Sequence, residues 1–115
     1  MKISRSDIIP RQSGKTTTVY SYPSEDGILD VAYITVHGRH PEDSTNWYIN
    51  HICSMICYIV KGTGKFGIED IEIPVVKNDV VTIPKEKLYF IEGNLEYVVT
   101  SSPAYSREQA EKVVK

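Results

Sequence analysis

With 115 residues, 13 Lys and Arg against 15 Asp and Glu, and a net charge of -2, the chain is long enough to bury one hydrophobic core and too short for two. Hydrophobic residues make up 41% and charged residues 24%, a globular composition without the basic field that would hold a nucleic acid, so no nucleic-acid partner is expected. No apolar run reaches the roughly 20 residues that span a bilayer and the first residues lack a signal-peptide core, so no membrane partner and a cytoplasmic location are expected.

Residues 1–16 are rich in Ser, Gly, Lys and Arg and read as an extended N-terminal arm, with Asp7-Ile8-Ile9-Pro10 able to pair at a sheet edge. Residues 16–22 are β-branched and aromatic, a strand that stops at Pro23 before the turn chemistry of Ser24-Glu25-Asp26-Gly27. Residues 28–37 alternate as a long strand, with Ile28, Asp30, Ala32, Ile34 and Val36 on one face. Residues 38–46 read as a loop, from which Trp47-Tyr48-Ile49 leads into the most informative stretch, residues 50–64.

That stretch runs apolar and β-branched into Gly62-Thr63-Gly64, a buried strand expected to turn sharply there. Period-2 geometry puts His51, Cys53, Met55 and Cys57 on one face. The two cysteines then lie about 13 Å apart by strand rise, beyond the roughly 7 Å that a disulfide tolerates, so both are expected as buried free thiols. Residues 65–68 and 71–75 flank Glu69-Asp70 as a hairpin, with Pro74 at an edge. Asn78-Asp79 is a turn before the short strand 80–83, and residues 88–91 and 95–100, separated by Glu92-Gly93-Asn94, read as a further hairpin. Ser106 with Gln109 forms a capping-box pattern, predicting a short C-terminal helix over 106–115. Eight or nine short strands with turn signals between them predict an all-β sandwich or barrel.

The order of signals from 46 to 105 resembles that of the cupin family. The family's first motif, a His-x-His pair, a Glu and a strand closing in Gly-x-Gly, is similar at its closing end to Tyr58-Ile59-Val60-Lys61-Gly62-Thr63-Gly64. The second motif, Gly-Asp, a short apolar strand, Pro-x-Gly and a His, is similar in layout to residues 78–89, with Glu86 where the family often has a glycine. Gly38-Arg39-His40-Pro41, Glu92-Gly93-Asn94-Leu95 and Ser102-Pro103-Ala104-Tyr105 resemble segments of a subset of small cupins that mostly carry no assigned reaction. The resemblance implies a double-stranded β-helix, a jelly-roll-like barrel, over 17–105, preceded by the arm 1–16 and followed by the helix 106–115. It places the family's metal ligands at Ile49, His51, Met55 and Tyr89, of which His51 alone keeps a ligand. An alternative alignment on Gly64 places them at His51, Cys53 and Cys57, a set suited to zinc.

The functional expectation is a cavity lined by His51, Cys53, Met55, Cys57 and Tyr89. Trp47, with Tyr48, Tyr58 and Phe90, is a candidate stacking platform, and Arg39, between His37 and His40, a candidate clamp for an anionic group. Such a cavity implies binding or sensing of a small-molecule ligand, a sugar or an organic acid, with no catalytic residue assigned, no tightly held metal and no cofactor. The alternatives are a metal-dependent cupin enzyme, an isomerase or oxygenase with an atypical His/Cys site, and an oligomerisation module. A homodimer through edge strands is the expected assembly.

Overall fold

The computed structural model describes residues 2–115. Nine strands, all paired antiparallel, carry the fold: β1 (Arg11–Ser13), β2 (Thr17–Tyr22), β3 (Asp30–His40), β4 (Asn46–Asn50), β5 (Ser54–Ile68), β6 (Ile71–Val76), β7 (Val80–Ile83), β8 (Tyr89–Ser102) and β9 (Ala110–Val114). Two 3-10 turns, Arg5–Asp7 and Arg107–Gln109, complete the secondary structure of the described residues. β8 is the spine: it pairs β3 from Asp30↔Ser101 to His40↔Ile91, and β5 from Ser54↔Ser102 to Ile68↔Tyr89. The path runs β1-β2-β3-β8-β4-β9, with β5 joined to β6, β7 and β8, so one sheet curls around a common interior.

Strand alternation fixes what faces inward. Along β5, Met55, Cys57 and Ile59 are buried while Ile56 and Tyr58 are exposed; along β8, Leu95, Tyr97, Val99 and Ser101 are buried. Val36, Ile59, Phe66 and Leu95 pack as solid core beside the cavity, where Phe66 meets Tyr97 edge-on at 5.8 Å. Met55, Cys57, Ile83, Ile91, Tyr97, Val99 and Ser101 face a cavity. No helix among the described residues is long and apolar enough to cross a membrane.

The strands expected at 16–22 and 80–83 form, as does the hairpin at Glu69-Asp70 between β5 and β6, while the strand expected at 28–37 starts at Asp30 and runs on through 38–40, which read as loop. Three expectations are corrected. Gly62-Thr63-Gly64 does not end a strand: β5 continues through it with a register shift between Ile59 and Lys61. Nor is Glu92-Gly93-Asn94 a hairpin, because β8 is one strand of 14 residues. Both errors have one cause. Gly64 pairs Gly93, and a Cβ added at Gly64 would stand 2.3 Å from the Glu92 carbonyl, while one at Gly62, which sits at φ 92, would stand 1.9 Å from the Asn94 carbonyl. The glycines let two continuous backbones bend against each other where a side chain would hold them apart.

The third correction concerns the C-terminus. Only Arg107–Gln109 turns, as a 3-10 turn, and residues 110–114 form β9, paired to β4 from Asn46↔Val114 to Asn50↔Ala110. A ten-residue helix is marginal by itself, whereas the open edge of β4 satisfies the backbone of β9 across five register pairs. The arm also becomes structure, since Arg11–Ser13 pairs β2 and lies against the cavity.

Candidate functional site

The cavity has a volume of about 420 Å³, and residues from near both ends of the chain, Arg11 to Gly14 and Arg107 to Lys112, contribute to its lining. Met55, Cys57, Ile83 and Val99 give it apolar walls. Four tyrosines line it: Tyr48 from β4, Tyr89 and Tyr97 from β8, and Tyr105 from the segment beyond. Asp30 and Ser101, register partners across β3 and β8, stand to one side, and His40, the last residue of β3, stands opposite them in the chain order of that strand.

His40 packs its ring 4.7 Å from that of Tyr48 at 51°, and Tyr48 in turn lies 5.9 Å from Tyr89. Its imidazole pKa is lowered to about 4, first by burial and then by the charges of Arg11 and Lys112. It is therefore a neutral ring at physiological pH, able to accept one hydrogen bond and donate another. Burial pushes the hydroxyls of Tyr89 and Tyr97 well above their ordinary range and that of Tyr105 upward, so all three stay protonated and can donate. Among the described residues, no cavity tyrosine hydroxyl has a protein hydrogen-bond partner, and no polar side-chain atom is sealed from solvent without one. Those hydroxyls face the cavity space. Burial raises the Asp30 carboxyl, against the opposing pull of the Tyr105 amide, which donates to Oδ2 at 3.0 Å, and of Ser101.

Of the residues expected to line the site, Met55, Cys57 and Tyr89 do so. Cys53 is fully buried behind the wall, where its amide donates to the Asn50 side chain at 2.8 Å. His51 is displaced altogether. The buried Asn50 carboxamide accepts from the amides of both Ile52 and Cys53, a local turn that breaks the strand before Ser54 and destroys the alternation on which the row depended. His51 is exposed on that bend, with Nδ1 3.1 Å from Glu86 and Nε2 2.7 Å from Glu111.

Arg39 and Trp47 are also outside the cavity. The Arg39 guanidinium lies 4.3 Å over the Phe90 ring and donates to the carbonyls of Pro41, Asp43 and Asn46 at 3.0, 2.7 and 2.8 Å. Through Nη1 it closes the β3–β4 loop, away from the cavity. Trp47 meets Phe90 edge-on at 4.7 Å and carries the Lys115 ammonium 4.0 Å over its ring.

These placements do not fit the transition metal that the fold family implies. Among the described residues no three His, Cys, Asp or Glu side chains gather as a ligand set. Both ring nitrogens of His51 are engaged by carboxylates. Burial pushes the Cys57 thiol up to about 12 and raises Cys53, which opposes the thiolate that zinc requires.

Tyr97, Tyr105, Asp30 and Ser101 are cavity residues that sequence reasoning did not select, while Tyr48 stood in the expected aromatic set and His40 in the cluster around Arg39. A signal existed for Asp30, a carboxylate on the apolar face of the 28–37 alternation, and for Tyr105, which like His40 sits in one of the three segments resembling small cupins. None marked Arg11.

Neither a protein-family model nor a curated protein matches the sequence. Solved structures do resemble the chain. Streptomyces Pac13, described as a unique nucleoside dehydratase, superposes with a TM-score of 0.87 at 21% identity over 99% of this chain and 91% of that one. A Tyr-to-Phe variant of Pac13 with uridine gives 0.88 at the same identity. Bacillus subtilis oxalate decarboxylase gives 0.81 at 14% identity, covering 96% of this chain and 31% of that one. A protein from Planctomyces limnophilus gives 0.79 at 14%, covering 96% and 94%. Likeness at these identities establishes fold, and together with the curled antiparallel sheet it makes this chain a cupin-fold β-barrel.

Proposed function

We propose that the barrel interior binds a neutral ring bearing several hydroxyls, a ribonucleoside first among them, and acts on it by proton transfer between His40 and the cavity tyrosines. The observation that carries this reading is the lining itself: protonated tyrosine hydroxyls and a neutral histidine, without internal partners, around about 420 Å³ of space with apolar walls. Such a site offers donors and acceptors spaced around a ring, whose faces pack on Met55, Ile83 and Val99. The space is of the order that small-molecule sites occupy. The nucleoside in the Pac13 structures, and the dehydratase activity ascribed to that protein, support the choice of ligand class.

The same geometry suits elimination of water. A neutral His40 takes a proton from a ring carbon, the C–H electron pair forms a C=C bond, and the neighbouring C–O bond breaks. The hydroxyl leaves as water with a proton from Tyr89 or Tyr48, and the base returns its proton to the tyrosine through solvent. No metal takes part, in keeping with the donor set.

A thermal-shift series with uridine, free ribose, other sugars and oxalate tests the binding step. Uridine at 100 times its dissociation constant stabilises by about 2.7 kcal/mol; stabilisation by oxalate alone would refute the reading. Proton NMR of incubated nucleosides then distinguishes a dehydrating enzyme, which produces a vinylic signal, from a binding or sensing protein, which leaves the ligand intact.

A further inference from the structure

Beyond the ring site, the cavity mouth carries positive charge that the fold does not use. Arg11 from β1, Arg107 from the 3-10 turn and Lys112 from β9 all line the same opening. Among the described residues none of them has a carboxylate within 4.0 Å, whereas Lys61, Lys65 and Lys115 each do. The acidic groups at the cavity are already engaged: Asp30 accepts from the Tyr105 amide, and Glu111 pairs His51. Glu42, beside Lys112 on the outer rim, accepts from the Lys15 amide. The three cations also act on common neighbours. Arg11 and Lys112 both push down the His40 imidazole, and Arg11 and Arg107 both pull down the Tyr105 hydroxyl.

Three cations brought together from opposite ends of the chain repel one another, and none is closed into an ion pair by the carboxylates nearby, Asp30, Glu108 and Glu111. Resting on the proposed ring site, we infer that the ligand is a phosphate monoester, a nucleoside 5′-monophosphate or a sugar phosphate, whose dianion sits at the mouth between Arg11, Arg107 and Lys112 while its ring enters the tyrosine-lined cavity. Guanidinium forks match phosphate oxygens bidentately, and a lysine adds a point charge. The arrangement also gives orientation: the phosphorylated end faces solvent, and the unphosphorylated hydroxyls face His40.

Calorimetry with uridine, uridine 5′-monophosphate, ribose 5-phosphate and inorganic phosphate tests this. The monophosphate is expected to bind about tenfold or more tightly than uridine, the size that three partly exposed charge contacts reach, with the ratio falling as salt rises. In the triple variant Arg11→Gln, Arg107→Gln, Lys112→Gln the ratio falls towards one, and in Lys112→Glu it falls below the wild-type value. Uridine binding as tightly as its monophosphate overturns the phosphate site and leaves the ring site standing. Binding of inorganic phosphate that the triple variant abolishes, with no uridine binding, keeps the anion site and removes the ring reading. Binding of none of the four removes both.

Discussion

A histidine on a cavity wall with two cations nearby keeps its imidazole neutral, and that is the state of His40. Its folded pKa, about 4 against an ordinary 6.5, means that the unfolded chain takes up this proton first as pH falls. Stability is then lost from pH 6.5 downward until about 4, by an amount on the order of 3 kcal/mol. Urea midpoints across that range are expected to fall in the wild type and to fall less in His40→Gln. A hydrogen-bonding imidazole at His51 was the residue most visible in the sequence, because a row of soft side chains on one strand face is a strong pattern. What hid its true position is the Asn50 side chain, whose bonds to two successive amides are a local choice that a period-2 pattern cannot register. His40 stood four residues beyond the last alternating apolar residue, Val36, in what read as a loop. β3 runs on to it and so brings it to the cavity wall.

At the scale of elements, the fold was legible where alternation is clean, as in β2, β3 and β7. It failed where glycines bend paired strands and where an edge strand replaces a helix. The glycine pair yields a direct test: Gly62→Ala puts a Cβ into the Asn94 carbonyl at a positive φ and is expected to cost about 3 kcal/mol or more, measured by denaturant unfolding. β9 is held by β4 and by the His51 contacts to Glu86 and Glu111. Those carboxylates, Glu111 first, raise the His51 pKa above 6.5, so the clamp is complete below pH 6.5 and is lost as pH rises through the raised value. Amide exchange in residues 110–114 is expected to quicken over that interval after correction for intrinsic rates, and His51→Ala is expected to remove the dependence. Unchanged protection in the wild type across the interval would count against the clamp.

On the scale of the whole molecule, the cavity is finished by the two ends of the chain, with Arg11 and Gly14 on one side and Arg107, Ala110 and Lys112 on the other. Deleting residues 106–115 should therefore leave the β3-β8-β5 body folded, judged by circular dichroism, yet abolish ligand-induced stabilisation. The homodimer is proposed to form through the sheet edges, and light scattering is expected to give twice the monomer mass; a monomer at all concentrations would refute it. The central claim, that the ligand sits against His40 and Tyr89 and away from His51, is tested most directly by calorimetric titration of uridine into the wild type and three variants. His40→Gln and Tyr89→Phe are each expected to weaken binding about five- to tenfold, the value of one lost neutral hydrogen bond, while His51→Ala leaves it unchanged. Loss of binding in His51→Ala with His40→Gln and Tyr89→Phe unaffected would contradict the account.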